Sequence, residues 1–407
     1  MAVTMHQAGI CRGILLALIV LGATGADWRQ FRGTDNRSVS DDKGLPTACG
    51  PETLAWKAPL PGRGPAGPIV VAGRVFVAAS SGGGQDCLRL LCLDAQSGKQ
   101  LWQRQMWATG STVHNSFGAV ADCTPASDGR LVVALWSSND LACFDLEGNL
   151  KWFRGLGYES PTTRNDVGMA SSPLIVQDTV VVQLENYGAS FATGIDLQTG
   201  QTRWRQAREQ ASNWTSPTVL RGPTPAEDLV LLQSRSRLSV HDPRSGRELA
   251  ARDHFCHTIA SSTTVGDRIY RPNDGIEALR WDAATRQLVT LWDESRLKSG
   301  NPCPVVHNGR IYVTKSAGIV VCASAEDGNT LWQVRLKGPF WATPVIAGAH
   351  LYAVNHAGLM QVVQLGEEGK LVWSGELEPG VLASPAVSDG AIYFRTDGHV
   401  WKFANKR

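Results

Sequence analysis

The sequence predicts an all-β fold: an eight-bladed β-propeller of four-stranded antiparallel blades, with its ring closed by an N-terminal strand. Three observations carry this. A pattern of about forty residues recurs along most of the chain, which is the period of propeller repeats. Each repeat reads as four short runs of β-branched and aliphatic residues separated by turn formers. Finally, Thr53-Leu54-Ala55-Trp56-Lys57 has the form of a fourth strand with no first three before it, while the C-terminal end offers three strands that lack a fourth.

Residues 302–332 show the unit most clearly. Pro304-Val305-Val306 starts an inner strand, His307-Asn308-Gly309-Arg310 turns, and Ile311-Tyr312-Val313-Thr314 is the second strand; Ser316-Ala317-Gly318 turns back into a third, from Ile319 to Ala323. Asp327-Gly328 supplies a tight hairpin, because Gly accepts positive φ and Asp can hold its own turn, and Leu331-Trp332 enters the fourth strand. The pattern then restarts with Thr343-Pro344-Val345-Ile346, Leu351-Tyr352-Ala353-Val354, Gln361-Val362-Val363 and Leu371-Val372-Trp373. A sheet this small cannot cover its own faces, so neighbouring units must stack.

In chain order, Arg12 precedes the apolar run Ile14-Leu15-Leu16-Ala17-Leu18-Ile19-Val20-Leu21, which ends in small residues up to Ala26. This reads as a cleavable export signal over residues 1–26, too short to span a bilayer, and it implies a periplasmic or secreted protein. Residues 27–51 are polar and rich in turn formers, an arm expected to lie on the wheel's surface with Trp28 and Phe31 as anchors. From residue 52 to 407 the chain reads as propeller. First strands marked by a small residue and Pro stand at Gly67-Pro68, Thr124-Pro125, Ser172-Pro173, Ser216-Pro217, Cys303-Pro304, Thr343-Pro344 and Ser384-Pro385, with Ser262-Thr263 in the same role without Pro. Fourth strands end near Trp102, Trp152, Trp204, Leu249, Trp292, Trp332 and Trp373, and Trp56 makes the eighth. Each Trp is expected to stack between blades. Leu249 and the turn Trp281-Asp282-Ala283-Ala284-Thr285-Arg286 mark two departures, read as weak points. The acids of Asp94, Asp145, Asp196 and Asp242, each followed by a turn Gly, read as structural.

A net charge of +2 argues against nucleic-acid or polybasic membrane partners, and no segment after the leader is apolar enough to span a membrane. A monomer is expected. There are 14 Trp and 42 Gly residues without helical periodicity, which again favours an all-β chain.

Of nine cysteines, one lies in the leader, leaving an even number for an oxidising compartment. One or two disulfides are expected, with Cys87 to Cys92, or Cys49 to a loop partner, as candidates. Cys92, Cys143 and Cys322 share one repeat-equivalent place and read as small core residues. His254-Phe255-Cys256-His257 has Zn²⁺ or Cu donor types, but no second cluster completes a ligand set, so no metal site is expected.

The Asp-to-Gly turns followed by Trp resemble the pyrroloquinoline-quinone-like (PQQ-like) repeat, over nearly all of the chain from Trp56 to Phe403. The chain is also similar to the propeller subunit of the outer-membrane protein assembly machinery (BamB-like). Its Asp27-Trp28-Arg29-Gln30-Phe31-Arg32-Gly33 arm looks like that of secreted PQQ-like propellers. The resemblance implies a quinoprotein dehydrogenase-like fold. Dehydrogenases of this kind hold PQQ with Ca²⁺ over the axis, beside a disulfide between adjacent cysteines; no two cysteines are adjacent here, and the roofing insertions are missing.

In a propeller the connections between blades cross one face and end at the axis. The least repetitive ones here are residues 106–121, 155–170, 207–214, 254–260, 297–301 and 338–341. They nominate Asn115, Arg164, Asn213, Trp214, His257, Asn301 and Trp341 as a central funnel able to bind a planar ligand, a sugar or a peptide; no catalytic residue is nominated. The function expected is a non-catalytic platform for a protein partner or small ligand at the loop face. The alternative is a PQQ- and Ca²⁺-dependent oxidoreductase with a non-standard cofactor site.

Overall fold

The computed structural model describes residues 26–164 and 167–406. The expected export signal, apart from Ala26, lies outside the described residues. Short apolar strands, most of them buried on both faces, and the Asp-to-Gly hairpins produce eight four-stranded antiparallel blades, an eight-bladed propeller with almost no helix. Blades 1 to 7 span residues 69–107, 126–155, 174–207, 218–253, 263–294, 305–335 and 345–376. Blade 8 joins three C-terminal strands to Leu54–Pro59, which pairs antiparallel with His399–Ala404 in the register Leu54 to Phe403 and Lys57 to Trp401. Joining the two ends of the propeller in one sheet leaves no open blade.

One interaction repeats from blade to blade. In five outer strands a bulge sets a Trp against a small residue of the third strand: Trp102 with Cys92, Trp152 with Cys143, Trp204 with Gly194, Trp292 with Ala278 and Trp332 with Cys322. The indole then crosses to the next blade and lies on its hairpin Gly: Trp56 on Gly98, Trp102 on Gly148, Trp152 on Gly200, Trp204 on Gly246, Trp292 on Gly328 and Trp332 on Gly369. In all six pairs the indole N–H donates to a carbonyl of that turn, at 2.8–3.3 Å. The turn acids hold backbone amides, for example Asp196 Oδ1 with Thr199 N at 2.8 Å and Asp242 Oδ1 with Ser245 N at 2.8 Å.

The two departures prove to be one. The register pairs Val240 with Ala250, so Ala250 occupies the Trp position and Leu249 is the bulge residue beside it. Blade 5 lacks the matching Gly, and Arg286 stands there at φ 54°. With no indole to seat, the turn needs no glycine. Trp281 instead packs from blade 5 into the apolar core between blades 4 and 5.

Residues 27–42 lie on one face of the wheel, with Trp28 buried there. They coil across the mouth of the central channel on the face carrying the first hairpin of each blade, meeting the inner edges of successive blades. Trp28 exchanges backbone hydrogen bonds with Val70 in blade 1, Ser127 N donates to Arg29 O in blade 2, and Ile175 N donates to Gln30 Oε1 in blade 3. Val219 N reaches Asn36 Oδ1 in blade 4, and Arg32 donates to Thr263 Oγ1 and Ser262 O in blade 5. Val39–Ser40 runs parallel to Ile346 and Ala347 in blade 7, and Gly390 N in blade 8 donates to Asp42. Inner strands otherwise leave one row of amides and carbonyls unpaired, and the arm takes up part of that row. The tight coil needs the left-handed region at Arg32, Gly33, Asn36 and Ser38.

Cys49, Cys87, Cys92, Cys123, Cys143, Cys256, Cys303 and Cys322 are all buried free thiols, which corrects the disulfide expectation. Cys87 and Cys92 lie in one extended strand, Cys87–Asp94, five residues apart and on opposite faces, which no disulfide can bridge. Burial pushes the thiols of Cys49, Cys92 and Cys143 up to about 12.

Candidate functional site

With one mouth closed by the arm, the central channel becomes a blind funnel opening on the face of the inter-blade connections. Its cavity measures about 330 Å³. Phe31 of the arm is a lining residue at the closed end, and Phe117, Val167, Trp214, Ile259, Trp341 and Leu382 form apolar walls.

A belt of small side chains circles the throat, and the small residue before each first-strand Pro builds it. In each blade but the first, this side chain accepts the backbone N–H of its counterpart one blade back. Gly67 N donates to Thr124 Oγ1, Thr124 N to Ser172 Oγ, Ser172 N to Ser216 Oγ and Ser216 N to Ser261 Oγ, at 2.9–3.0 Å. Ser261 N donates to Cys303 Sγ at 3.2 Å, Cys303 N to Thr343 Oγ1 and Thr343 N to Ser384 Oγ, both at 3.0 Å. The belt ends at Gly67, which has no side chain to offer. In blade 5, Ser261 is the belt residue and Ser262 takes the proline's place; its free N–H, which proline would lack, donates to Gln233 Oε1 at 2.9 Å.

Of the seven residues nominated from sequence, the structure brings Asn115, Trp214, Asn301 and Trp341 to the funnel. Trp214 is held by its indole N–H on Gly168 O at 2.8 Å, and Asn115 Oδ1 caps the amides of Phe117 and Gly118. The other three stand elsewhere. Asn213 is buried, its amide committed to Glu185 Oε2, Thr215 Oγ1 and Gln233 O, within a network where Glu185 also pairs with Arg208. His257 turns its Nδ1 onto the amides of Ile259 and Ala260, so its neighbour Ile259 faces the funnel instead. Arg164 is exposed outside the funnel lining. Nor does the His254-to-His257 run gather a ligand set, since Cys256 lies against His254 O and Arg271. No group of three or more His, Cys, Asp or Glu side chains converges among the described residues.

Asp122 is the lining residue with the strongest electrostatic signature, and sequence reasoning missed it. It is the one carboxyl among the described lining residues, and no cationic side chain lines the funnel beside it. Its Oδ1 accepts Ala119 N at 2.8 Å. Burial pushes the carboxyl up to about 7, against the pull of Arg395 and Arg63 behind the wall. Arg395 is fully buried and donates to Ala66 O; burial lowers it to about 9, so it stays a cation at neutral pH.

Comparison with known proteins agrees with this architecture. A family profile described as outer membrane protein assembly factor BamB matches residues 35–252 and 266–365. The chain belongs to this family. BamB of Yersinia pestis, an outer membrane protein assembly factor, is 25% identical over 321 residues, covering 65% of this chain and 77% of that protein. The crystal structure of BamB from Moraxella catarrhalis superposes with a TM-score of 0.62 at 17% identity, over 87% of this chain and 98% of that one. A europium-containing methanol dehydrogenase superposes with a TM-score of 0.71 at 14% identity, over 92% and 90%. At such identities the two structures attest the fold alone, one shared by BamB and by that dehydrogenase. No helix among the described residues is long and apolar enough to cross a membrane.

Proposed function

We propose that this BamB-family propeller is a rigid, non-catalytic platform, exported from the cytoplasm, that docks a protein partner on its loop face. The observation that carries the reading is where the exposed aromatic side chains stand. Tyr158, Tyr187 and Trp107 are 78%, 69% and 64% exposed, and Phe117, Phe255 and Trp341 are also open to solvent. All six lie at loops of that one face, Tyr187 in the hairpin between the second and third strands of blade 3 and the others at or in inter-blade connections, distributed over several blades around the funnel mouth. Among the described residues a single further exposed aromatic, Phe153, sits on an outer strand. Aromatic side chains are enriched at the centres of protein interfaces, and a face that displays so many is suited to be covered. Trp-Gly stacking between blades supplies the rigidity, so docking need not order the scaffold.

The quinone-dependent reading fits these residues poorly. Pyrroloquinoline quinone carries three carboxylates and its Ca²⁺ wants several oxygen ligands, including carboxylates. The described lining offers one carboxyl and no cationic side chain, and the free cysteines stand apart.

Photo-crosslinking amino acids placed at Tyr158 and Tyr187 in cells, with Leu150 and Leu331 on outer strands as controls, test the docking face. One discrete protein adduct from the two loop-face sites, absent from the controls, is expected. Adducts from the outer strands alone, or none at the loop face of a folded, exported protein, would overturn the reading.

A further inference from the structure

The belt of hydroxyls has a property that its structural role does not use. Thr124, Ser172, Ser216, Ser261, Thr343 and Ser384 each accept a backbone N–H or close the belt as its last acceptor, yet among the described residues none of the six donates a hydrogen bond of its own. All six line the funnel, as does Cys303 between them. Six O–H groups at one level of a closed throat thus keep their protons free. Such a belt is rich in donors.

Beneath it lies a charge without a counter-ion. Arg32 is 2% exposed, and its hydrogen bonds go to Thr263 Oγ1, Ser262 O and Thr218 Oγ1, none to a carboxylate; its Nε has no partner. Those acceptors stand one or two residues along the inner strands from Ser261 and Ser216, so the guanidinium sits about 3–7 Å below the belt. Its ring neighbour Phe31 lines the funnel above it. The other charges near the throat are Arg395 and the Arg63–Asp397 pair behind the wall, and Asp122. Arg395 has the carboxyls of Asp397 and Asp122 near it, whereas among the described residues no carboxylate pairs with Arg32.

We propose that the throat is a binding site for an apolar monocarboxylate of small-molecule size. The carboxylate accepts from the hydroxyl belt over Arg32, and the apolar body lies between Trp214, Trp341, Phe117 and Ile259. The cavity volume is in the range of small-ligand sites, and one negative charge is what one unpaired guanidinium balances. The site shares Phe117 and Trp341 with the rim that docks a partner, but Arg32 and the belt belong to the throat alone and Tyr158 and Tyr187 to the rim alone, so each reading can fail by itself.

The test is a titration of the purified protein, arm included, with 4-phenylbutyrate, 4-phenylbutanol and 4-phenylbutylammonium, followed by heat and by Trp fluorescence. The carboxylate is expected to bind at one site per chain, about tenfold or more tighter than the alcohol, with the ammonium weakest. Arg32→Met, which keeps the floor filled, should reduce the carboxylate to the level of the alcohol and leave the alcohol unchanged. Trp341→Ala should weaken every probe that binds. If Arg32→Met fails to fold, Thr343→Val, which removes one free hydroxyl at constant shape, should still weaken the carboxylate selectively. Equal binding of the three probes, preference for the ammonium, no binding to a folded protein, or a preference untouched by these substitutions would overturn the proposal.

Discussion

Trp152 lies with its indole face on Gly200, the left-handed residue closing the hairpin of the next blade, and donates its N–H to Leu197 O at 2.8 Å. A Cβ at position 200 would stand 2.7 Å from Trp152 Cγ, on a backbone with φ +72°. Gly200→Ala should therefore destabilise by about 2–3 kcal/mol, combining the left-handed penalty with overpacking. Denaturant unfolding measures it; a loss below about 0.5 kcal/mol, the range of ordinary surface substitutions, would contradict the stacking account.

Blades 4 and 5 offer the reciprocal experiment. Ala250 and Arg286 replace Trp and Gly at the same interface. Ala250→Trp alone should destabilise, because the indole has no glycine to lie on and Trp281 already fills the gap. Adding Arg286→Gly should recover part of that loss, with a favourable coupling of about 0.5–3 kcal/mol in a double-mutant cycle. Strict additivity would show that the two positions do not meet.

Ring closure rests on the pairing of Leu54–Pro59 with His399–Ala404, reinforced by Lys57, which contacts Glu378 at 2.6 Å and lies 4.3 Å over the Trp401 ring. Deleting residues 52–57 should expose the edge of His399–Ala404 and lower the melting temperature or cause aggregation. A deletion variant that stays monomeric with unchanged melting would show that the strand is dispensable.

The belt predicts a pair of opposite-looking substitutions with the same sign. Thr343→Val leaves the buried N–H of Cys303 without its acceptor and should cost about 1–3 kcal/mol. Gly67→Ser looks as though it would complete the belt, but its Cβ would stand 2.9 Å from Ser384 O, so it too should destabilise. Thermal unfolding of both variants checks this, and a stabilised Gly67→Ser would be the informative surprise.

Asp122 makes a pH prediction. Its folded value, about 7, lies above its ordinary 3.8, so between those values the folded state holds the proton that the unfolded state has released. Stability from this group is present at low pH and lost as pH rises toward 7. Burial holds His241, His257, His307 and His350 below their usual value, and they act in the opposite direction. The readout is therefore the difference between the native protein and Asp122→Asn across pH 4.5 to 7.5, in roughly the range where carboxyl and imidazole titrate. That difference should change with pH in favour of the Asn variant; a flat difference would place Asp122 in ordinary solvent.

What the sequence by itself determined was the wheel. Short runs of β-branched and aliphatic residues, Asp-to-Gly turns and Trp at fixed spacing are local signals, repeated so often that they count the blades and identify the closing strand at Trp56. It also identified Asn115, Trp214, Asn301 and Trp341 as residues at the ends of irregular connections, which the topology carries to the axis.

Only the tertiary structure decided the rest, because the remaining features arise between segments far apart in the chain. The arm shows no periodicity since successive short segments of residues 28–42 meet different blades; a partner that changes every few residues leaves no repeating pattern. Ala250 was misread as Leu249 because a bulge shifts the register by one residue, invisible without the partner strand. Asn213 and His257 have the right chemistry and location, yet backbone direction turns them into the protein while Ile259 and Trp214 face the cavity. Asp122 and the belt escaped notice because Ser, Thr and a lone Asp carry little signal singly. Closing the ring places these small polar groups at one level, and the arm makes the channel a pocket.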